Sequence, residues 1–144
     1  MGTPMTGSTR GLKGLWHVAL KVTDLKRTQA FYEGLFGMRV VWAPDPDNVY
    51  LSSGRDNLAL HQIPAPELSD YRQGAGQFLD HVGFIAESLE AVDRLFHEAE
   101  KAQVTIVKPL KLHRDGSYSF YLADPDGNTV QVLYEPNICS GATI

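Results

Sequence analysis

At 144 residues and 43% hydrophobic content, the chain is long enough for one domain with a sizeable core. A net charge of −4 without a basic cluster argues against a nucleic-acid partner, and no apolar run reaches the length of a membrane span. The one cysteine, Cys139, cannot close an internal disulfide, so the expected compartment is a reducing cytoplasm.

Residues 1–14 are rich in Gly, Thr, Ser and basic residues and lack the apolar centre of a signal peptide, so a flexible tail is expected there. The first patterned stretch is Leu15-Trp16-His17-Val18-Ala19-Leu20, which alternates like a half-buried strand. Thr23-Asp24 then caps an expected helix over Leu25–Phe36. Three strands are expected next, near Met38–Ala43, Asn48–Ser52 and Asn57–Ile63. Pro44-Asp45-Pro46-Asp47 and Ser53-Gly54-Arg55-Asp56 are the turns between them. Tyr71–Gln77, with two glycines, is the expected link to a second copy of the pattern.

That copy opens 64 residues after the first, at Leu79-Asp80-His81-Val82-Gly83-Phe84. Ser88 caps an expected helix over Leu89–Ala102, and strands follow near Val104–Pro109, Ser117–Ala123 and Thr129–Glu135. In Asp124-Pro125-Asp126-Gly127-Asn128, Pro125 suits the first corner of a type I turn and Gly127 the positive φ after it. The expected architecture is therefore α+β: two βαβββ modules, about 15–64 and 79–136, within one domain over residues 15–136, with a loose tail at 137–144. Helices cover one face of the sheets and leave the other concave.

Strand parity assigns the open faces. His17, Ala19 and Lys21 share one; so do Ala59 and His61, with Leu58 and Leu60 packing under the helix. His81, Gly83 and Ile85 form the same face in the second module. In the last strand Val130 and Val132 are core residues, leaving Gln131, Leu133 and Glu135 to the concavity. Tyr121 and Ser119 alternate with Phe120 and Leu122 and are expected to face it too. If the modules pack pseudo-symmetrically, His17, His61, His81 and Gln131 converge on one centre. Imidazole is a frequent ligand of Zn²⁺, Ni²⁺ and Fe²⁺. The bland reading of each is a hydrogen-bonded structural group. Trp16 and Trp42 are expected to be packing residues, and His113, Arg114 and Asp115 a solvated turn.

The opening "LWHVALKVTDL…FYEGLFGM" and the closing "SFYLADPDGNTVQVLYEP" resemble the vicinal oxygen chelate superfamily. Glyoxalase I, methylmalonyl-CoA epimerase, extradiol dioxygenases, fosfomycin-resistance enzymes and bleomycin-binding proteins belong to that group. The resemblance implies a glyoxalase-like fold over roughly Leu15 to Pro136, usually in a homodimer. It also implies metal ligands on the first and last strands of each module, which fall on His17, His61, His81 and Gln131. Tyr121 and Ser119 match positions that contact substrate in fosfomycin-resistance enzymes. One departure stands out, since metal-dependent relatives usually carry glutamate where this chain has Gln131. An amide adds no negative charge to a divalent ion and accepts no proton at neutral pH, so the proton-shuttling carboxylate of glyoxalase-type isomerisation is absent.

Two function classes follow. One is an enzyme of the lyase, transferase or dioxygenase kind, dependent on Zn, Ni, Fe or Co and polarising a small, oxygen-rich substrate by Lewis-acid action. The other is a metal-free protein that binds and sequesters a small molecule, as bleomycin-resistance proteins do. The histidines favour the first and Gln131 the second.

Overall fold

The computed structural model describes residues 10–71 and 79–136. The chain forms β1 (His17–Val22), α1 (Leu25–Phe36), β2 (Arg39–Asp45), β3 (Asn48–Ser52) and β4 (Asn57–Gln62). After a short 3-10 helix (Ala65–Asp70) come β5 (Val82–Ile85), α2 (Leu89–Lys101), β6 (Ile106–Leu112), β7 (Tyr118–Ala123) and β8 (Thr129–Tyr134). These make two four-stranded sheets, ordered β1-β4-β3-β2 and β5-β8-β7-β6. The fold is α+β, βαβββ twice. Its contacts divide into two units, one of Trp16–His81 with Ala123–Thr129, the other containing Val82–Leu122 and residues 130–136.

In the first unit β1 lies parallel to β4, with Ala19 opposite Ala59 and Leu20 opposite Leu60. Leu20, Val22, Leu58 and Leu60 are buried, as their parity requires. The Asp24 carboxylate caps α1 by accepting from the Arg27 amide at 3.1 Å, and Gly37 ends the helix at a φ of 67°. Two further side chains hold the start of α1. Gln62 accepts from the Leu25 amide and donates to the Thr23 carbonyl, both at 2.8 Å. Asp126 accepts from the Thr23 amide at 3.0 Å, from the Thr23 hydroxyl, and from Arg27 at 3.3 Å. The turn Ala123–Thr129, expected within the second module, therefore packs into the first unit. The buried Tyr32 hydroxyl donates to Asp124 at 2.8 Å, and Asp124 also accepts from Asn128.

In the second unit Ser88 caps α2 by accepting from the Ala91 amide at 3.1 Å. Phe96 meets Phe120 edge-on at 5.2 Å, while Val92, Ala99, Phe120, Leu122, Val130 and Val132 are wholly buried. The Tyr118 hydroxyl ties β7 to α2 through Asp93 at 2.6 Å.

The differences from expectation have local causes. β5 begins at Val82, so His81 precedes the strand rather than lying in it. β2 runs on to Asp45 because Pro44 sits in an irregular stretch, where a missing N–H costs no ladder bond. The 3-10 helix has Pro64 at its cap and was not anticipated. Residues 72–77 of the expected link, residue 78, and the expected tails at 1–9 and 137–144 lie outside the described residues. No helix among the described residues is long and apolar enough to cross a membrane.

Asp126→Ala removes the acceptor shared by Thr23 and Arg27 and should lower unfolding free energy by about 2 kcal/mol, measured by urea denaturation. Burial, then the Asp124 charge, holds the Tyr32 phenol well above its ordinary value. The unfolded phenol ionises near about pH 10 while the folded one stays protonated. Stability should thus be intact below that pH and decline above it, and Tyr32→Phe should flatten the decline.

Candidate functional site

On the open face of the first sheet, the His17 ring meets Asn57, with Nδ1 2.7 Å from Oδ1. His61 Nδ1 lies 2.5 Å from Asn48 Oδ1. Both share the expected face but not one place. His17 pairs with Asn57 and His61 with Lys21, four positions along the same two strands. At about 3.3 Å per residue that is about 13 Å. His61 is therefore not brought to His17 as the sequence reading expected. His81 stands just before β5, with Nδ1 2.7 Å from Asp80 Oδ1.

Register also locates the counterpart of Gln131. Gln131 pairs with Gly83 on β5, and the matching pair in the first sheet is Ala59 with Ala19. The β4 position equivalent to Gln131 is thus Ala59, not His61. Gln131 is nearly buried and lies across Gly83, its Oε1 3.7 Å from where a Cβ would stand.

The open face of the second sheet forms a cavity of about 760 Å³ lined by Lys111, His113, Arg114, Tyr121, Gln131 and Glu135, among others. Tyr121, Gln131, Leu133 and Glu135 reach it as their parity foretold. Ser119 is buried at its edge, its hydroxyl 3.4 Å from His113 Nε2. His113, Arg114 and Asp115 form the hydrogen-bonded turn before β7, with Arg114 and Asp115 exposed as expected. The His113 amide donates to the Ser117 carbonyl at 2.8 Å, and Gly116, at a φ of 90°, donates back to the His113 carbonyl at 3.0 Å. Asp115 accepts from the Ser117 hydroxyl at 2.7 Å and its amide at 2.9 Å, and these bonds hold its carboxyl below the ordinary value.

Two cations escaped the sequence reading. Lys108 pairs with Tyr121 and Lys111 with Ser119, three steps on β6 against two on β7. A bulge around Pro109 absorbs the extra residue, so both lysines come opposite face residues despite their odd spacing. Lys108 Nζ sits 5.0 Å from the Tyr121 ring centre, a cation–π distance. Pro109 was the one available signal.

Comparison with known proteins decides the family. A family model described as Glyoxalase/Bleomycin resistance protein/Dioxygenase superfamily matches residues 14–132. The chain belongs to this superfamily. It is 32% identical over 127 residues to Glutathione transferase FosA of Serratia marcescens, covering 84% of this chain and 80% of that one. It is 29% identical to 2,2',3-trihydroxybiphenyl dioxygenase of Sphingomonas paucimobilis, covering 85% of this chain but only 41% of the dioxygenase. The crystal structure of lactoylglutathione lyase from Agrobacterium tumefaciens superposes with a TM-score of 0.67 at 25% identity, covering 86% and 95%.

Divalent metals are common in the superfamily, so the donor set needs testing against one. Register puts Ala59, a methyl, rather than His61 at the β4 position equivalent to Gln131. Gln131 supplies a neutral amide. With no carboxylate at either last-strand position, the residues present do not fit a tightly held resident ion.

Ser117→Ala should bring the Asp115 carboxyl back up toward about 4, its ordinary value, in an NMR titration of side-chain carboxyl shifts.

Proposed function

We propose that this superfamily member binds a small, oxygen-rich organic molecule in the β6–β8 cavity without a resident metal. One observation carries the reading: the last-strand positions where an anionic ligand would stand hold Ala59 and Gln131. The cavity itself suits such a molecule. Lys111, Arg114 and His113 offer cationic or neutral donors, Tyr121 and Gln131 offer neutral ones, and Leu133 adds apolar wall. Ser119 orients the His113 ring, an imidazole that can both give and take a proton. Proton transfer to a bound ligand would therefore fall to His113 rather than to Gln131.

A metal-assisted enzyme acting by Lewis-acid polarisation is the second reading. It is favoured by the Nδ1 atoms of His17 and His81, each set against a side-chain oxygen, as in ligating imidazoles. A homodimer, as the resemblance implies, in a reducing cytoplasm, as the lone cysteine implies, completes the proposal and is checked by sedimentation and fractionation.

Elemental analysis separates the two readings. Protein purified without chelator should carry well under one equivalent of Zn, Ni, Fe or Co, and Gln131→Glu should raise metal affinity by at least about tenfold by adding an anionic donor. Full occupancy in the unaltered protein, lost in His17→Ala and His81→Ala, would establish the second reading instead. Ligand binding should shift the NMR resonances of Tyr121 and Gln131, and Tyr121→Phe should weaken it by about three- to tenfold.

A further inference from the structure

The first sheet ends on β2, an edge strand whose seven residues, Arg39-Val40-Val41-Trp42-Ala43-Pro44-Asp45, are all exposed. Val40 is 41%, Val41 57% and Trp42 58% exposed, so Trp42 is not the packing residue its type suggested. A strand edge with large apolar side chains in the open is a template for another strand. β6, the matching edge of the second sheet, carries Lys108, Pro109 and Lys111 and no acidic residue. Two β6 strands laid together would bring cations together with no counter-charge, so that edge is guarded. β2 instead carries one charge of each sign, at its two ends.

The strand is symmetric about Trp42. Arg39 and Asp45 lie three positions to either side of it, with apolar residues between. Register extends the symmetry to the face. Arg39, Trp42 and Asp45 pair with Ser52, Tyr50 and Asn48, alternate residues of β3, so all three stand on one side of the sheet. Three steps along β2 match two along β3 on each side of Trp42, so one extra residue is absorbed on either side. A second strand of this sequence, antiparallel and centred on Trp42, would meet the first with Arg39 facing Asp45 at both ends. Bulge would then face bulge.

Both charges are open to such a partner. Arg39 makes no ion pair with another described residue. Asp45 Oδ1 accepts from the Asp47 amide at 2.8 Å and from Asn48 at 2.9 Å, which fixes the carboxylate. Its Oδ2 accepts from Asn48 at 3.1 Å and has a further lone pair for a guanidinium.

We propose that β2 pairs with β2 of a second copy of this chain, antiparallel about a two-fold axis at Trp42. The inference names the surface of the homodimer proposed above and rests on that reading. Each copy offers the patch it needs from the other, as a two-fold contact requires. The pairing also closes, because it uses both β2 edges and leaves neither for a third chain. Pro44 has no N–H to give, so the ladder is short of bonds and the two Trp42 rings and two ion pairs carry the contact. An unrelated extended peptide would have to bring the same spacing of charges; a second copy brings it by construction.

Sedimentation velocity of the whole chain, from about 1 to 500 μM, should show a concentration-dependent dimer, as a small interface gives. Arg39→Asp sets carboxylates against each other at both ends and should weaken the dimer about tenfold, as should the cation pairs of Asp45→Arg. The double variant R39D/D45R restores opposite charges and should return to within about threefold of the unaltered chain. Trp42→Ala should weaken the dimer about tenfold. Oxidative cross-linking checks the register in a Cys139→Ser background. Trp42→Cys should link to its own copy, since facing Cα atoms stand about 4.5–5.5 Å apart, within disulfide reach. Asp45→Cys should not, because its own copy lies six residues along the strand, about 20 Å away. Circular dichroism checks that each variant is folded. A dimer that persists unchanged in folded Arg39→Asp and Trp42→Ala would leave the homodimer standing and overturn the β2 surface. A double variant as weak as the single ones, or equal cross-linking of Asp45→Cys and Trp42→Cys, would overturn the pairing. A monomer at every concentration would overturn the homodimer reading and this inference together.

Discussion

A βαβββ unit closes when its first strand lies parallel to its last, and that pairing has little freedom to slip. The helix after the first strand covers one face of the sheet, so the apolar side chains of both strands must point to that face together. Leu20 and Leu60 meet there in one sheet, Phe84 and Val132 in the other. A shift of one residue would turn Leu58 and Leu60 outward and His61 inward, at about 1.5–3 kcal/mol for each large side chain exposed. Hydrophobic burial on the helix side therefore dictates which polar groups stand opposite one another on the open side. Ala19 beside Ala59 and Gly83 beside Gln131 are consequences of packing on the other face.

The helix must also start in the right place, and here charge rather than burial acts. The N-terminus of α1 presents unsatisfied amides and a partial positive charge. Asp24 and Gln62 satisfy two of those amides, while Asp126 reaches the Thr23 amide just before them. Asp126 comes from a turn about a hundred residues away, which its sequence neighbours Pro125 and Gly127 shape. The Asp-Pro-Asp-Gly-Asn stretch thus has two functions, reversing the chain between β7 and β8 and fixing the entry to α1.

Periodicity carried much of this in advance. Alternation identified the strands, Asp24 and Ser88 marked both helix starts, and the core faces of β4, β7 and β8 followed from parity. Parity specifies a face, however, and not a row along it. His61 shares its face with His17 yet pairs with Lys21, because row position depends on how far one strand is offset from the next. That offset is a tertiary quantity, decided by the helix crossing and the turns together. Bulges hid the rest. Val40 to Trp42 spans one step of β3, and Lys108 to Lys111 spans two steps of β7. In each case an extra residue breaks the two-residue period on which the reading depended. Pro44 and Pro109, one in each of these irregular strands, mark the same device in both units.

The amide at Gln131 also bears on the charge balance of the second sheet. A glutamate at that nearly buried position would need a cation beside it or would lose its proton-free form, since burying an unpaired carboxylate costs several kcal/mol. Glutamine avoids that cost because it is neutral, and its Oε1 lies beside Gly83, 3.7 Å from where a Cβ would stand. The floor therefore carries no charge of its own that burial would penalise. Cationic side chains gather instead at the rim, on the β6 bulge and the His113–Ser117 hairpin, where water still solvates them. Moving positive charge from a central ion to flexible lysine and arginine side chains exchanges fixed coordination for adaptable hydrogen bonding. On the proposed function, an oxygen-rich molecule would be held there by many weak contacts, with selectivity set by the spacing of the hairpin donors from Tyr121.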